Sequence, residues 1–103
     1  MNSFDAVWPS LSEKLAAGTV IKNWTAFRGY LGDTMIVARV GENYIEVVPP
    51  KAENSQLVPR DDFQGVWEVW AEYKTQKVQR QEVREMTRFS KYIISILHWL
   101  ETA

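Results

Sequence analysis

The chain has 103 residues, 46% hydrophobic and 24% charged, which is enough apolar material for one folded domain over 1–103, too short for two, and too apolar for disorder. It has no cysteine, which excludes disulfides and thiol-based metal or redox chemistry, and its net charge of −1 excludes a uniformly basic nucleic-acid binder. No N-terminal stretch has the regions of a signal peptide and no apolar run approaches about 18 residues, so a cytoplasmic location is expected.

Ser10-Leu11-Ser12-Glu13 has the spacing of a capping box, with Gly18 placed to end the helix, while Pro9 also suits the first turn of a helix begun at Ser3 or Asp5. Either start gives an N-terminal helix. Val20 to Phe27 has moderate strand character, Arg28 to Asp33 (RGYLGD) supplies two glycines for a turn, and Thr34 to Val40 (TMIVARV) is a strand rich in β-branched residues. Gly41-Glu42-Asn43 separates it from Tyr44 to Val48 (YIEVV), so the two form an antiparallel hairpin. Pro49 to Gln56 reads as a polar loop.

The last third is helical. Asp61 or Asp62 is placed to cap a helix whose Phe63, Val66, Trp67, Trp70 and Tyr73 form one apolar stripe with Glu68 and Glu72 opposite. A polar turn near Thr75 to Lys77 leads to RQEVREM, TRFS and then SKYIISILHWLE, Ser90 to Glu101. The fold expected is α+β: an N-terminal helix, a small antiparallel sheet of about three strands, and two or three C-terminal helices packed on it. Trp67, Trp70, Ile93, Ile96, Leu97 and Leu100 are its expected core centre.

Ser90 to Glu101 carries the sharpest functional question. At about 100° per residue, Tyr92, Ile93, Ile94, Ile96, Leu97, Trp99 and Leu100 fill an arc of roughly 220°, against roughly 100° for a helix resting on one sheet. Only Lys91, Ser95 and His98 form a polar stripe. Such a helix needs cover on two sides, by its own domain and by a second copy or another chain, with Tyr92, Ile94 and Trp99 as the interface. A helix-turn-helix is the competing expectation, but its base-reading face would be Lys91, Ser95 and His98, with no Asn, Gln or Arg.

The charge is unevenly placed. From Lys74 to Lys91 six basic residues stand against two acidic ones, Glu82 and Glu85. In one continuous helix Arg80, Arg84, Arg88 and Lys91 would share a face, and like charges at that spacing cost about 0.2–0.5 kcal/mol per pair. Phosphates on a face formed by Lys77, Arg80, Arg84, Arg88 and Lys91 would offset that row; so would Glu68 and Glu72, or solvent.

Signs of catalysis are few. His98 is the sole histidine, which leaves little for a metal triad or a Ser/His/Asp arrangement, and no phosphate-binding glycine loop is present. Neither an enzyme, a metal site nor a cofactor is expected. Arg28, Tyr30 and Asp33 in the glycine turn give a weak signal of a site. Five Trp, four Tyr and four Phe fill a small core or line a pocket for a small ligand.

The segments NWT (Asn23 to Thr25), YLGD (Tyr30 to Asp33), VPRDDFQGVWEVWAEYK (Val58 to Lys74) and TRFSKYIISILHWLE (Thr87 to Glu101) resemble small bacterial proteins of unknown function, including those carried on mobile integron gene cassettes. The resemblance implies a bacterial accessory protein and supplies no activity and no site residues. Three functions follow as expectations: a noncatalytic binding module acting as a homo-oligomer or on a protein partner; nucleic-acid binding through the Lys77 to Lys91 face; and an aromatic-lined small-ligand pocket.

Overall fold

The computed structural model describes residues 3–51 and 54–102. In chain order the elements are α1 (Phe4–Lys14), β1 (Val20–Thr25), β2 (Gly29–Val40), β3 (Tyr44–Val48), β4 (Gln56–Pro59), α2 (Arg60–Glu68), α3 (Trp70–Lys74), α4 (Arg80–Met86) and α5 (Ser90–Thr102). The strands form one antiparallel meander in the order β1-β2-β3-β4.

α1 starts at Phe4, with Ser3 extended before it, and Pro9 lies inside the helix. The capping-box start at Ser10 is not used, because Phe4, Val7, Trp8 and Leu11 recur at three- and four-residue spacing and all are buried. The Trp8 indole N–H donates to the Glu42 carbonyl at 3.0 Å, and its ring lies 5.4 Å from Phe63, tying α1 to the β2–β3 turn and to α2. Gly18 does not end the helix; at φ +91°, where a side chain would be strained, it turns the chain into β1, and its N–H donates to the Val37 carbonyl.

The sheet has four strands, one more than expected. β4 is short and ends at a proline, so it shows no alternation, yet Ile45↔Val58 and Tyr44↔Pro59 place it on the sheet edge, where a proline costs no ladder bond. Of the expected loop Pro49 to Gln56, Gln56 therefore belongs to a strand, and Ala52 and Glu53 lie outside the described residues. The β1–β2 turn lies at Ala26 to Arg28 and is followed by Gly29 at φ +73°, so the glycine segment meets it only at its start. Lys22↔Thr34 and Trp24↔Tyr30 are both paired, so Leu31, Gly32 and Asp33 stand opposite Asn23 alone. Gly32, at φ +95°, permits this bulge.

Four helices, not two or three, follow the sheet. The predicted stripe from Phe63 to Tyr73 is buried as expected but bends at Val69, which divides α2 from α3. Neither Asp61 nor Asp62 caps α2: Pro59 holds that position and both acids lie in the first turn, where they complement the helix dipole. Thr87, in extended conformation, separates α4 from α5. Its hydroxyl donates to Asp62 Oδ2 at 2.6 Å and accepts from the Phe89 N–H at 3.0 Å. Trp67, Trp70, Ile93, Ile96 and Leu97 are in the core as expected; Leu100 is half-buried at its margin.

Candidate functional site

α5 lies along β1 on one side and against α2 and α4 on the other. Its own chain thus provides the two-sided cover that its wide apolar arc requires. Ile94, one of the three residues of the expected interface with Tyr92 and Trp99, is 0% exposed within the single chain and so is not available to a partner. Tyr92 and Trp99 are half-buried, packed on the edge of the core.

The polar stripe of α5 faces inward, onto the free edge of β1. Ser95 is fully buried; its hydroxyl accepts the Trp24 backbone N–H at 3.1 Å and donates to Asn23 Oδ1 at 3.4 Å. The Asn23 amide donates to Asp33 Oδ1 at 2.8 Å, and Lys91 Nζ to Asp33 Oδ2 at 3.0 Å. The Asn23 amide and then Lys91 hold the Asp33 carboxyl below its ordinary range. The bulge at Leu31 to Asp33 is what brings this carboxylate to α5. His98 stacks on Trp24, with centroids 3.8 Å apart and 3° between planes, and Nε2 lies 3.1 Å from Tyr30 Oη. Burial pushes the imidazole below its ordinary value, with Glu101 opposing. This stripe seals a strand edge.

The predicted basic face is divided. α4 ends at Met86, so Arg80, Arg84, Arg88 and Lys91 do not share one helix face. Lys91 turns to Asp33, the Arg88 guanidinium rests 4.7 Å over the Phe89 ring, and Lys77 and Arg84 are exposed. Among the described residues no ion pair joins the row to Glu68 or Glu72. Arg80 is different: it is half-buried, and Nη1 donates to Ser90 Oγ at 2.8 Å. Burial lowers its affinity for the proton, Tyr73 opposes this, and Arg84 adds to it.

Arg80 lines a cavity of about 320 Å³ between the β1–β2 turn and the α3–α4 link, together with Thr25, Phe27, Arg28, Tyr73 and Val78. Of the weakly signalled trio, Arg28 reaches this cavity, whereas Tyr30 and Asp33 line a separate cleft of about 290 Å³ farther along the hairpin. Sequence reasoning counted Tyr73 only as core and passed over Phe27; an aromatic and an arginine side by side before a turn glycine were the available signal.

A second feature was not expected. Alternation along the strands sends Ile21, Met35, Val37, Ile45, Val47 and Val58 into the core and leaves the opposite face open. On it, Val20, Ile36 and Val48 stand in cross-strand register, and Leu57 lies in the next row, opposite Glu46. Val20, Ile36 and Leu57 are 54%, 45% and 52% exposed. The Arg39–Glu46 pair, at 3.3 Å, flanks this row on one side and Lys22 on the other.

Among the described residues no helix is long and apolar enough to cross a membrane and no cluster of side chains has a metal-binding arrangement. No family model, curated protein or solved structure matches the chain.

Proposed function

We propose that the protein is a cytoplasmic, noncatalytic binding module that works as a homo-oligomer, joining copies through the open face of its sheet. One observation carries this reading: Val20, Ile36 and Val48 form a cross-strand apolar row, with Leu57 diagonal to Val48 in the next row, on a face that the chain's own helices leave uncovered. Contiguous apolar surface, unlike scattered exposed residues, marks an interaction site. The occupant favoured is a second copy, because the charges on this face largely cancel. Arg39 and Glu46 pair with each other, leaving Lys22, so the face offers no strong field for an acidic or basic partner and suits an apolar surface like itself. Two such faces would stack as a sheet sandwich about 10 Å apart.

Sedimentation or light scattering at tens of micromolar tests the reading. The expected mass is that of a dimer of the 12.0 kDa chain. Ile36→Glu should give a monomer that still melts within a few degrees of the wild type, since Ile36 is already half exposed and contributes little to the core. A wild-type monomer throughout this range would refute self-association; a dimer that persists in Ile36→Glu would refute the face.

A further inference from the structure

We propose that the cavity between the β1–β2 turn and the α3–α4 link binds a small organic anion, a carboxylate or phosphate on an aromatic or apolar body. Arg80 and Arg28 would take the charge, and Phe27 and Val78 the body. This proposal is independent of self-association, which uses the far face of the sheet.

The lining contains two arginines and no carboxylate. A guanidinium half withdrawn from water is stabilised by an anionic partner, because burial of an unpaired charge is costly. Arg80 has only the Ser90 hydroxyl among the described residues, which engages one of its five N–H donors. Among the described residues no carboxylate forms an ion pair with Arg80, and Glu82, two residues on, accepts the Gln79 backbone N–H at 2.6 Å instead. Arg80 is thus held in place by the protein with its charge unanswered.

Tyr73 gives a second, separate indication. Its phenol oxygen accepts the Ala26 N–H at 3.2 Å, while its own proton has no acceptor among the described residues, although Tyr73 is buried. An anion accepts both from such a hydroxyl and from a guanidinium fork. The apolar half of the ligand is read from Phe27, 79% exposed at the rim, and from Val78. Gln76 stands in the left-handed region at φ +63°, and its carbonyl accepts from the Gln79 side chain at 2.7 Å, so this wall is built on a conformation that non-glycine residues adopt at a cost. At about 320 Å³ the cavity is near the lower limit for ligand sites, which suits a single ring with its acid group.

Amide-resolved NMR titration of the full chain with benzoate, phenyl phosphate and inorganic phosphate tests the proposal. Shift changes from benzoate or phenyl phosphate should gather at residues 25–28 and 73–80, and whichever of the two binds more tightly identifies the acid group. Arg80→Gln should weaken binding about tenfold or more, the usual loss of a charge-assisted bond. Arg28→Gln, at an exposed position where folding is not at risk, should weaken it severalfold, and Lys77→Gln, outside the lining, should leave it unchanged. No localised change at millimolar ligand, or equal binding by wild type and Arg28→Gln, would overturn the site. Inorganic phosphate binding as tightly as phenyl phosphate would overturn the apolar part.

Discussion

Ser95→Ala tests whether the polar stripe of α5 seals the edge of β1 or faces solvent. The substitution removes one buried oxygen that serves two groups: the Trp24 backbone N–H at 3.1 Å and Asn23 Oδ1 at 3.4 Å. Each buried polar group left without a partner costs about 1–3 kcal/mol, and the longer bond to Asn23 counts at the lower end. The expected loss is therefore about 2–3 kcal/mol, a large part of the roughly 5–15 kcal/mol that holds a typical domain together. For a chain of this size it corresponds to a fall in Tm of about 10–20 °C. Urea melts followed by circular dichroism should show the midpoint falling with an unchanged m-value, the sign of lost stability without a change in surface exposed. Thr102→Ala is the control: this hydroxyl is on the same helix but exposed, bonded to the His98 carbonyl, and its loss should stay within about 0.5 kcal/mol. A Ser95→Ala effect as small as the control's would refute the inward orientation and restore the solvent-facing stripe that a helix-turn-helix requires.

Two further outcomes follow from the same geometry. The His98 ring, observed by NMR, should titrate below the ordinary 6.5 because burial against Trp24 disfavours its charged form. The unfolded chain takes that proton first, so stability should decline as pH falls from about 6.5 to the folded value and then level off; His98→Gln should remove this slope, and a ring titrating at or above 6.5 would count against the packing described. Leu11→Ala, at a fully buried position of α1, should cost about 2–5 kcal/mol in urea melts, and a loss under about 1 kcal/mol would show that α1 is not part of the core.

Local chemistry was legible where a pattern repeats. TMIVARV was recognised as a strand because it is rich in β-branched residues and YIEVV as its partner across a short Gly-Glu-Asn turn, and the stripe from Phe63 to Tyr73 because its spacing is helical. β4 was missed because four residues ending in Pro59 show no period. The two glycines of RGYLGD were taken for a turn because glycine marks both turns and bulges; only the pairing of Trp24 with Tyr30 tells which. The stripe of Lys91, Ser95 and His98 was visible, but its partners Asn23, Trp24, Tyr30 and Asp33 lie 58 to 74 residues away in sequence, and no local rule joins them. The row Arg80, Arg84, Arg88 and Lys91 was a fair sign of unrelieved charge. It misled about place, because Thr87 interrupts the helix on which the spacing was counted.

The error over α5 also explains why the open sheet face went unexpected. A helix that is apolar over roughly 220° needs two coverings, and supplying the second from another chain assumes that a sheet can offer a helix only its face. β1 offers its edge instead: the bulge turns Asp33 toward Lys91, Ser95 takes the Trp24 N–H that an edge strand leaves unpaired, and His98 closes over the Trp24 ring. Once α5 is satisfied inside the chain, the surplus of apolar surface does not vanish; it is found on the strands, where Val20, Ile36 and Leu57 remain exposed. On the proposed reading, the copy that joins this protein meets the sheet. Substitutions at Tyr92 and Trp99 should change stability without changing oligomeric state, whereas Ile36→Glu should do the reverse.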